Sequence, residues 1–152
     1  MTTPRTAPDP TGFKQPVSVL VVVVTAAGEA LLLRRRQPAD FWQSVTGSLD
    51  WGETPAAAAA RELREETGID AVPTATGRVN RFAILPAWRV RYHPDVVENE
   101  EHLFVVKLTG RVPLRLAPHE HTEAAWLARD AAVARASSWT DRAALMALIP
   151  SG

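Results

Sequence analysis

The stretch Gly47–Ile69, GSLDWGETPAAAAARELREETGI, constrains this chain more than any other, because its residues dictate a helix that carries three acids together. Thr54 suits an N-cap, and Pro55 suits the first helical turn, where a missing N–H costs nothing. Alanines and strong helix formers follow, and Gly68 stands where a glycine closes a helix. At 100° per residue, Ala56, Ala59, Ala60, Leu63 and Thr67 share an apolar face, while Glu62, Glu65 and Glu66 project together from another side. Like charges at these spacings repel by roughly a few tenths of a kcal/mol per pair. A divalent cation would turn that repulsion into ligation, and carboxylate oxygens suit Mg²⁺ or Mn²⁺ better than zinc. A glutamate pair on a helix is more often a plain solvated face, so the acids alone do not decide the matter.

The spacing around them does. Gly47, five residues, Glu53, seven residues, Arg61-Glu62-Leu63, one residue, Glu65-Glu66, one residue and Gly68-Ile69 follow in order. The run resembles, at every specified position, the Nudix box G-x5-E-x7-R-E-U-x-E-E-x-G-U, with U aliphatic. That resemblance implies metal-dependent hydrolysis of a nucleoside-diphosphate-like linkage and makes Glu62 and Glu66 the principal metal ligands. Arg61 lies four residues before Glu65 and is expected to pair with it, which gives Glu65 a supporting role. Glu53 either completes the coordination or orients Arg61. Gly47 and Gly52 are expected to bring backbone close to metal and phosphate. A non-catalytic module of the same fold would be expected to have lost a box glutamate, yet Glu53, Glu62, Glu65 and Glu66 all remain.

The chain of 152 residues is long enough for one domain with a single core. Lys plus Arg and Asp plus Glu number 17 each, so no net field favours a nucleic acid polymer or an acidic membrane. The absence of cysteine excludes disulfides and thiolate chemistry. Val17–Thr25 is too short to span a bilayer, and the N-terminus lacks a signal-peptide layout. The expectation is a cytoplasmic protein, monomeric or a small homo-oligomer. Residues 1–12, with three prolines, read as a flexible tail before a domain over 13–152. VSVLVVVVT reads as a central strand buried on both faces, and Ala30–Arg36 as a second strand. Alternation sets Arg35 opposite Arg34 and Arg36, so the three cannot serve one site. Gln43–Thr46, HLFVVKL and Glu123–Leu127 read as further strands, and Ala71–Val90 as strand material broken by Pro73, Gly77 and Pro86. Arg129–Ala136 and Thr140–Leu148 are helical in pattern. Strands interspersed with helices indicate an α/β sandwich with a mixed sheet; the resemblance makes it a Nudix-type α/β/α sandwich.

The pieces KQPVSVLVVV, DFWQSVTGS, WRVRYHP, HEHTEAAWL and SSWTDRAAL extend the likeness from about Lys14 to Leu148. They are similar to the dihydroneopterin triphosphate diphosphatases, a Nudix branch of bacterial folate synthesis that splits its substrate into the monophosphate and pyrophosphate. This resemblance assigns Lys14, Arg35 and Thr46 to the substrate site, where cationic heads and a hydroxyl reach phosphate oxygens. It assigns Phe82, Ala83, Ile84 and Leu85 to the pterin, with Phe82 able to stack on the flat ring, and Ser138 to another substrate contact. It also makes Glu120 an additional metal-binding or water-holding acid. One departure falls at the pterin end, because Phe82–Leu85 lacks the acidic residue often found there. The competing reading is therefore a purine nucleoside triphosphate, ordinary or oxidised, as substrate.

Overall fold

The valine-rich run forms strand β1 (Val17–Thr25), and the rest of the molecule is laid out from it. The structure is a computed structural model that describes residues 12–151; apart from Gly12, the expected N-terminal tail lies outside the described residues. Val19, Val21 and Val23 of β1 enter one buried cluster, while Leu20, Val22 and Val24 enter another. A strand buried on both faces needs such a continuous apolar run.

Strand β6 (Glu98–Leu108) lies parallel along one edge of β1, from Val17↔Glu100 to Thr25↔Leu108. Antiparallel to β6 runs β5 (Thr74–Ala83). The other edge of β1 is divided. Strand β4 (Val45–Ser48) pairs with its first half, Ser18↔Ser48 to Val21↔Val45, whereas β2 (Glu29–Arg35) joins only at Val24↔Ala30. Strand β2 then carries β3 (Trp42–Gln43) and β7 (His121–Ala128). The sheet forks between β4 and β2.

Helix α1 (Pro55–Thr67) covers one face, where Ala58, Ala59 and Leu63 meet Val19, Val21 and Val23. Helices α2 (Arg129–Arg135) and α3 (Trp139–Leu148) cover the other, with Ala132, Ala144 and Leu145 against Leu20, Val22 and Leu32. This is the α/β/α arrangement with a mixed sheet. Among the described residues no helix is long and apolar enough to cross a membrane.

The α1 caps match the sequence reading: Thr54 Oγ1 accepts the Ala57 N–H (3.2 Å), and Gly68 adopts φ +78° while its N–H reaches the Arg64 carbonyl (2.9 Å). The buried face of the helix differs. Ala56 is exposed, and the face runs through Ala58, Ala59, Glu62, Leu63, Glu66 and Thr67, so two of the three acids point inward. Strand β5 also differs, continuing through Gly77, whose φ of +79° accompanies a register shift between Ala75 and Val79. A glycine-based bulge accommodates the irregularity without ending the strand.

Between β3 and β4 the chain is fastened to α3. The buried Asp141 carboxylate accepts the Ser44 N–H (2.6 Å) and the Ser44 hydroxyl (2.7 Å). Burial pushes its carboxyl up to about 6, against the pull of the two Ser44 bonds. Asp141→Ala would strand both donors and should cost about 2–4 kcal/mol, on the scale of bonds to a charged acceptor. Urea denaturation checks this; a loss under about 0.5 kcal/mol would show that Asp141 does not hold the junction.

Candidate active site

Strand β4 brings Gly47 hard against α1. A Cβ on Gly47 would lie 2.3 Å from Glu62 Cδ, so any side chain there would displace the carboxylate. The glycine that opens the box is a requirement for space.

Arg61, at the base of the acidic group, forks onto Glu53, with Nε to Oε2 and Nη2 to Oε1 both at 2.8 Å. Its Nη1 also donates to Glu62 Oε1 (2.7 Å) and, at 3.2 Å, to Glu65 Oε2. Glu53 is therefore the main partner of Arg61 and Glu65 the lesser one, because the loop before α1 folds back beside the helix. Burial works to raise the Glu53 carboxyl, but the Arg61 bond and the Asp50 N–H outweigh it and hold the acid below its ordinary range. The Glu53 bonds in turn hold the Arg61 proton firmly. Both Glu53 oxygens are engaged, and of its two expected roles the geometry shows the orienting one.

Glu66 is 1% exposed, and neither of its oxygens makes a well-aligned hydrogen bond. Burial first, then neighbouring Glu62, then Glu120 push its carboxyl well above the ordinary range, with the Thr46 backbone opposing. Burial also raises Glu62, against the pull of Glu66 and Arg61. Glu65, by contrast, faces solvent. Across the fork, the turn before β7 presents Glu120 and His121, and ligand atoms of Glu66, Glu120 and His121 all fall within 4.8 Å of one another. His121 Nε2 is 3.6 Å from Glu66 Oε1 and 3.4 Å from Gln43 Nε2. Burial, with Arg35 and His119 nearby, lowers its pKa to about 4, which leaves a neutral ring with lone-pair nitrogen at pH 7. Bare buried carboxylates are costly. A divalent cation would remove that cost, and the ligand atoms of Glu66, Glu120 and His121 lie close enough together to hold one, with Glu62 beside Glu66 on α1.

Cations border this acidic floor. Burial, then Arg91 and Arg35, lower the Lys14 pKa, and Glu62 and Glu120 oppose them. Arg35 is likewise lowered by burial and raised by Glu66 and Glu120. Its guanidinium lies 5.5 Å from the Trp88 ring, on the 3₁₀ turn Pro86–Arg91. Lys14 and Arg35 thus lie beside the acids, while Arg34 binds Glu123 (2.8 Å) and Asp40, and Arg36 binds the Pro118 carbonyl. The Thr46 hydroxyl donates to the Val19 carbonyl (2.8 Å), which leaves its lone pairs for a ligand. Ser138 caps α3 by accepting the Asp141 N–H (3.2 Å). Phe82 is half-buried at the end of β5, Ile84 is buried, and Ala83 and Leu85 are exposed. His121 and Arg91 were not singled out from sequence. The HEH and WRVR patterns contain them, but only the fork shows which side chains turn inward.

This architecture, with its box of acids facing a cation-lined fork, defines a class. Residues 14–149 match the NUDIX domain, and the chain belongs to that family. It is 39% identical over 139 residues to the dihydroneopterin triphosphate diphosphatase of Escherichia coli (strain K12), covering 88% of this chain and 91% of that protein. The Haemophilus influenzae protein of the same name is 33% identical over 139 residues, covering 88% and 87%. The solved structure of the E. coli dihydroneopterin triphosphate pyrophosphohydrolase matches with a TM-score of 0.84 and 38% identity, covering 90% of this chain and 97% of that one.

A stability measurement tests the metal fit. At about 100 times its Kd a cation adds about 2.7 kcal/mol by linkage, a Tm rise of several degrees for a chain of this size. Glu62 and Glu66 have raised pKa values, so protons compete with the ion for them, and the rise should shrink as pH falls. Glu66→Gln should melt higher than wild type without metal and lose the cation-induced rise. An undiminished rise in Glu66→Gln would remove Glu66 from the ligand set.

Proposed function

We propose that this protein hydrolyses 7,8-dihydroneopterin triphosphate to the monophosphate and pyrophosphate, with Mg²⁺ as the metal and Mn²⁺ as a substitute, in the cytoplasm. The observation that carries the reading is the 39% identity to an enzyme of that name, across nearly the full length of both chains. The site geometry supports it. Glu62, Glu66 and Glu120 would hold the cation, which when bound neutralises phosphate charge and makes water a stronger nucleophile. Lys14 and Arg35 grip phosphate oxygens by charge-assisted bonds, and Arg91 adds a third positive charge. Arg61 touches no substrate; it fixes Glu62 through its grip on Glu53, a positioning role. Thr46 and Ser138 offer hydroxyl contacts, and Phe82 offers an aromatic face to the ring. A purine nucleoside triphosphate is the second reading, favoured by the absence of an acid from Phe82–Leu85.

In this mechanism water attacks the phosphorus next to the pterin-bearing side chain, and the bond to the bridging oxygen breaks to release pyrophosphate. Reaction in ¹⁸O-water followed by mass spectrometry should place the label in dihydroneopterin monophosphate and leave pyrophosphate unlabelled. Label in pyrophosphate, or stepwise release of orthophosphate, would overturn the cleavage point. Wild-type turnover by Glu120→Ala would separately take Glu120 out of the reaction.

A further inference from the structure

The sheet face turned toward α3 carries a second group of buried polar side chains, which phosphate chemistry leaves unused. Asn99 and Glu101 are two residues apart on β6, so they share a face, and they are only 3% and 4% exposed. The register sets Phe82 opposite Asn99, Asn80 opposite Glu101, and Ser18 beside Glu101 on β1. Cross-strand neighbours lie on one face, so these five side chains form one patch. Leu103, two residues further along β6, packs in the α2–α3 core, which fixes the patch as the α3 side. Thr140 and Asp141, in the first turn of α3, border Glu101 from above.

Two buried acids meet here, and they differ. Asp141 is spent on Ser44, as described above. Glu101 keeps its Oε1 without a donor, and Asn99 keeps its Oδ1 without one while its amide donates to Ser18 Oγ (2.7 Å). Burial pushes the Glu101 carboxyl up to about 7; Asn80 and Thr140 offset part of that, and Asp141 adds to it. A structural acid would be expected to have its oxygens met, because leaving one bare costs about 1–3 kcal/mol or more. Two bare acceptors beside a half-buried phenyl ring and the Ser138 cap are instead complementary to a flat ring bearing adjacent N–H donors.

We propose that Glu101, with Asn99 beside it, reads the N–H edge of a 2-amino-4-oxopyrimidine ring, the edge that a pterin shares with guanine, while Phe82 covers the ring face. This inference rests on the proposed function and specifies its ring-recognition half. In that edge the ring N–H and the exocyclic amine are neighbouring donors, and a carboxylate accepts from both. The adjoining ring carbonyl accepts from the Asn80 amide. An adenine-type edge has no hydrogen on the corresponding ring nitrogen and would leave Glu101 facing a lone pair. The acid missing from Phe82–Leu85 is thus supplied by the neighbouring strand.

Fluorescence titration with 7,8-dihydroneopterin, which carries no phosphate, isolates this contact from the metal site. Glu101→Gln and the apolar Glu101→Met should each weaken its binding more than tenfold and raise KM for the triphosphate by a similar factor, with kcat within about twofold. Glu101→Met should also melt no lower than wild type without ligand, because a buried acid with one unmet oxygen has been removed. Unchanged dihydroneopterin affinity in either folded variant would overturn the inference and leave the proposed function standing. Should wild type fail to hydrolyse dihydroneopterin triphosphate, the proposed function fails. The edge is then tested with GTP against UTP: a wild-type preference for GTP lost in Glu101→Gln supports it, and an unaltered preference overturns it.

Discussion

The close approach of Gly47 to the Glu62 carboxylate, which leaves no room for a Cβ, is the contact on which the rest of the site depends. Because no side chain stands between β4 and α1, the helix presses its acids under the strand instead of offering them to solvent. Burial then leaves Glu66 with bare oxygens, and Arg61 becomes necessary to fasten Glu62. Glu53 gives Arg61 the two-pronged acceptor that a guanidinium matches best. Burial raises the carboxyls of Glu62 and Glu66, a cost that a divalent ion would relieve.

The forked sheet converts this acidic floor into a cleft. Were β2 paired with β1 along its whole length, β4 would have no edge to occupy and Gly47 could not reach α1. The short Val24↔Ala30 junction lets β2 swing away, carrying Arg35 and, through β7, His121 to the opposite wall. Trp88 lies against both Arg35 and Phe41, so the 3₁₀ turn that bears Arg91 is seated on the same wall. Arg35 and Glu120 thus face Glu62 and Glu66 across one opening. The patch around Glu101 occupies the other face of the sheet, beyond the free end of β4.

Much of this was legible in the sequence because it is written in local spacing. The α1 caps, the two-sided burial of β1 and the division of Arg34, Arg35 and Arg36 all follow from period and position, whereas the box glutamates were picked out by the resemblance. What was not legible depends on register between distant strands. HLFVVKL reads as a strand, yet nothing local tells that the strand begins earlier and that its Glu101 is enclosed by β5, β1 and α3. His121 is a neutral buried imidazole only because β7 pairs with β2 at Arg35. Arg61 was read as the partner of Glu65 because i,i+4 spacing is visible in sequence. Its stronger bonds to Glu53 arise from a loop geometry that is not.

The central proposal is that Glu62, Glu66 and Glu120 hold one divalent metal ion in the fork. Anomalous diffraction from crystals soaked in Mn²⁺ tests it directly. The account expects a peak in the fork within about 2–2.5 Å of carboxylate oxygens from Glu62 and Glu66, with Glu120 drawn toward it. A fork without a peak at saturating Mn²⁺, or a peak held only by exposed acids such as Glu65, would contradict it.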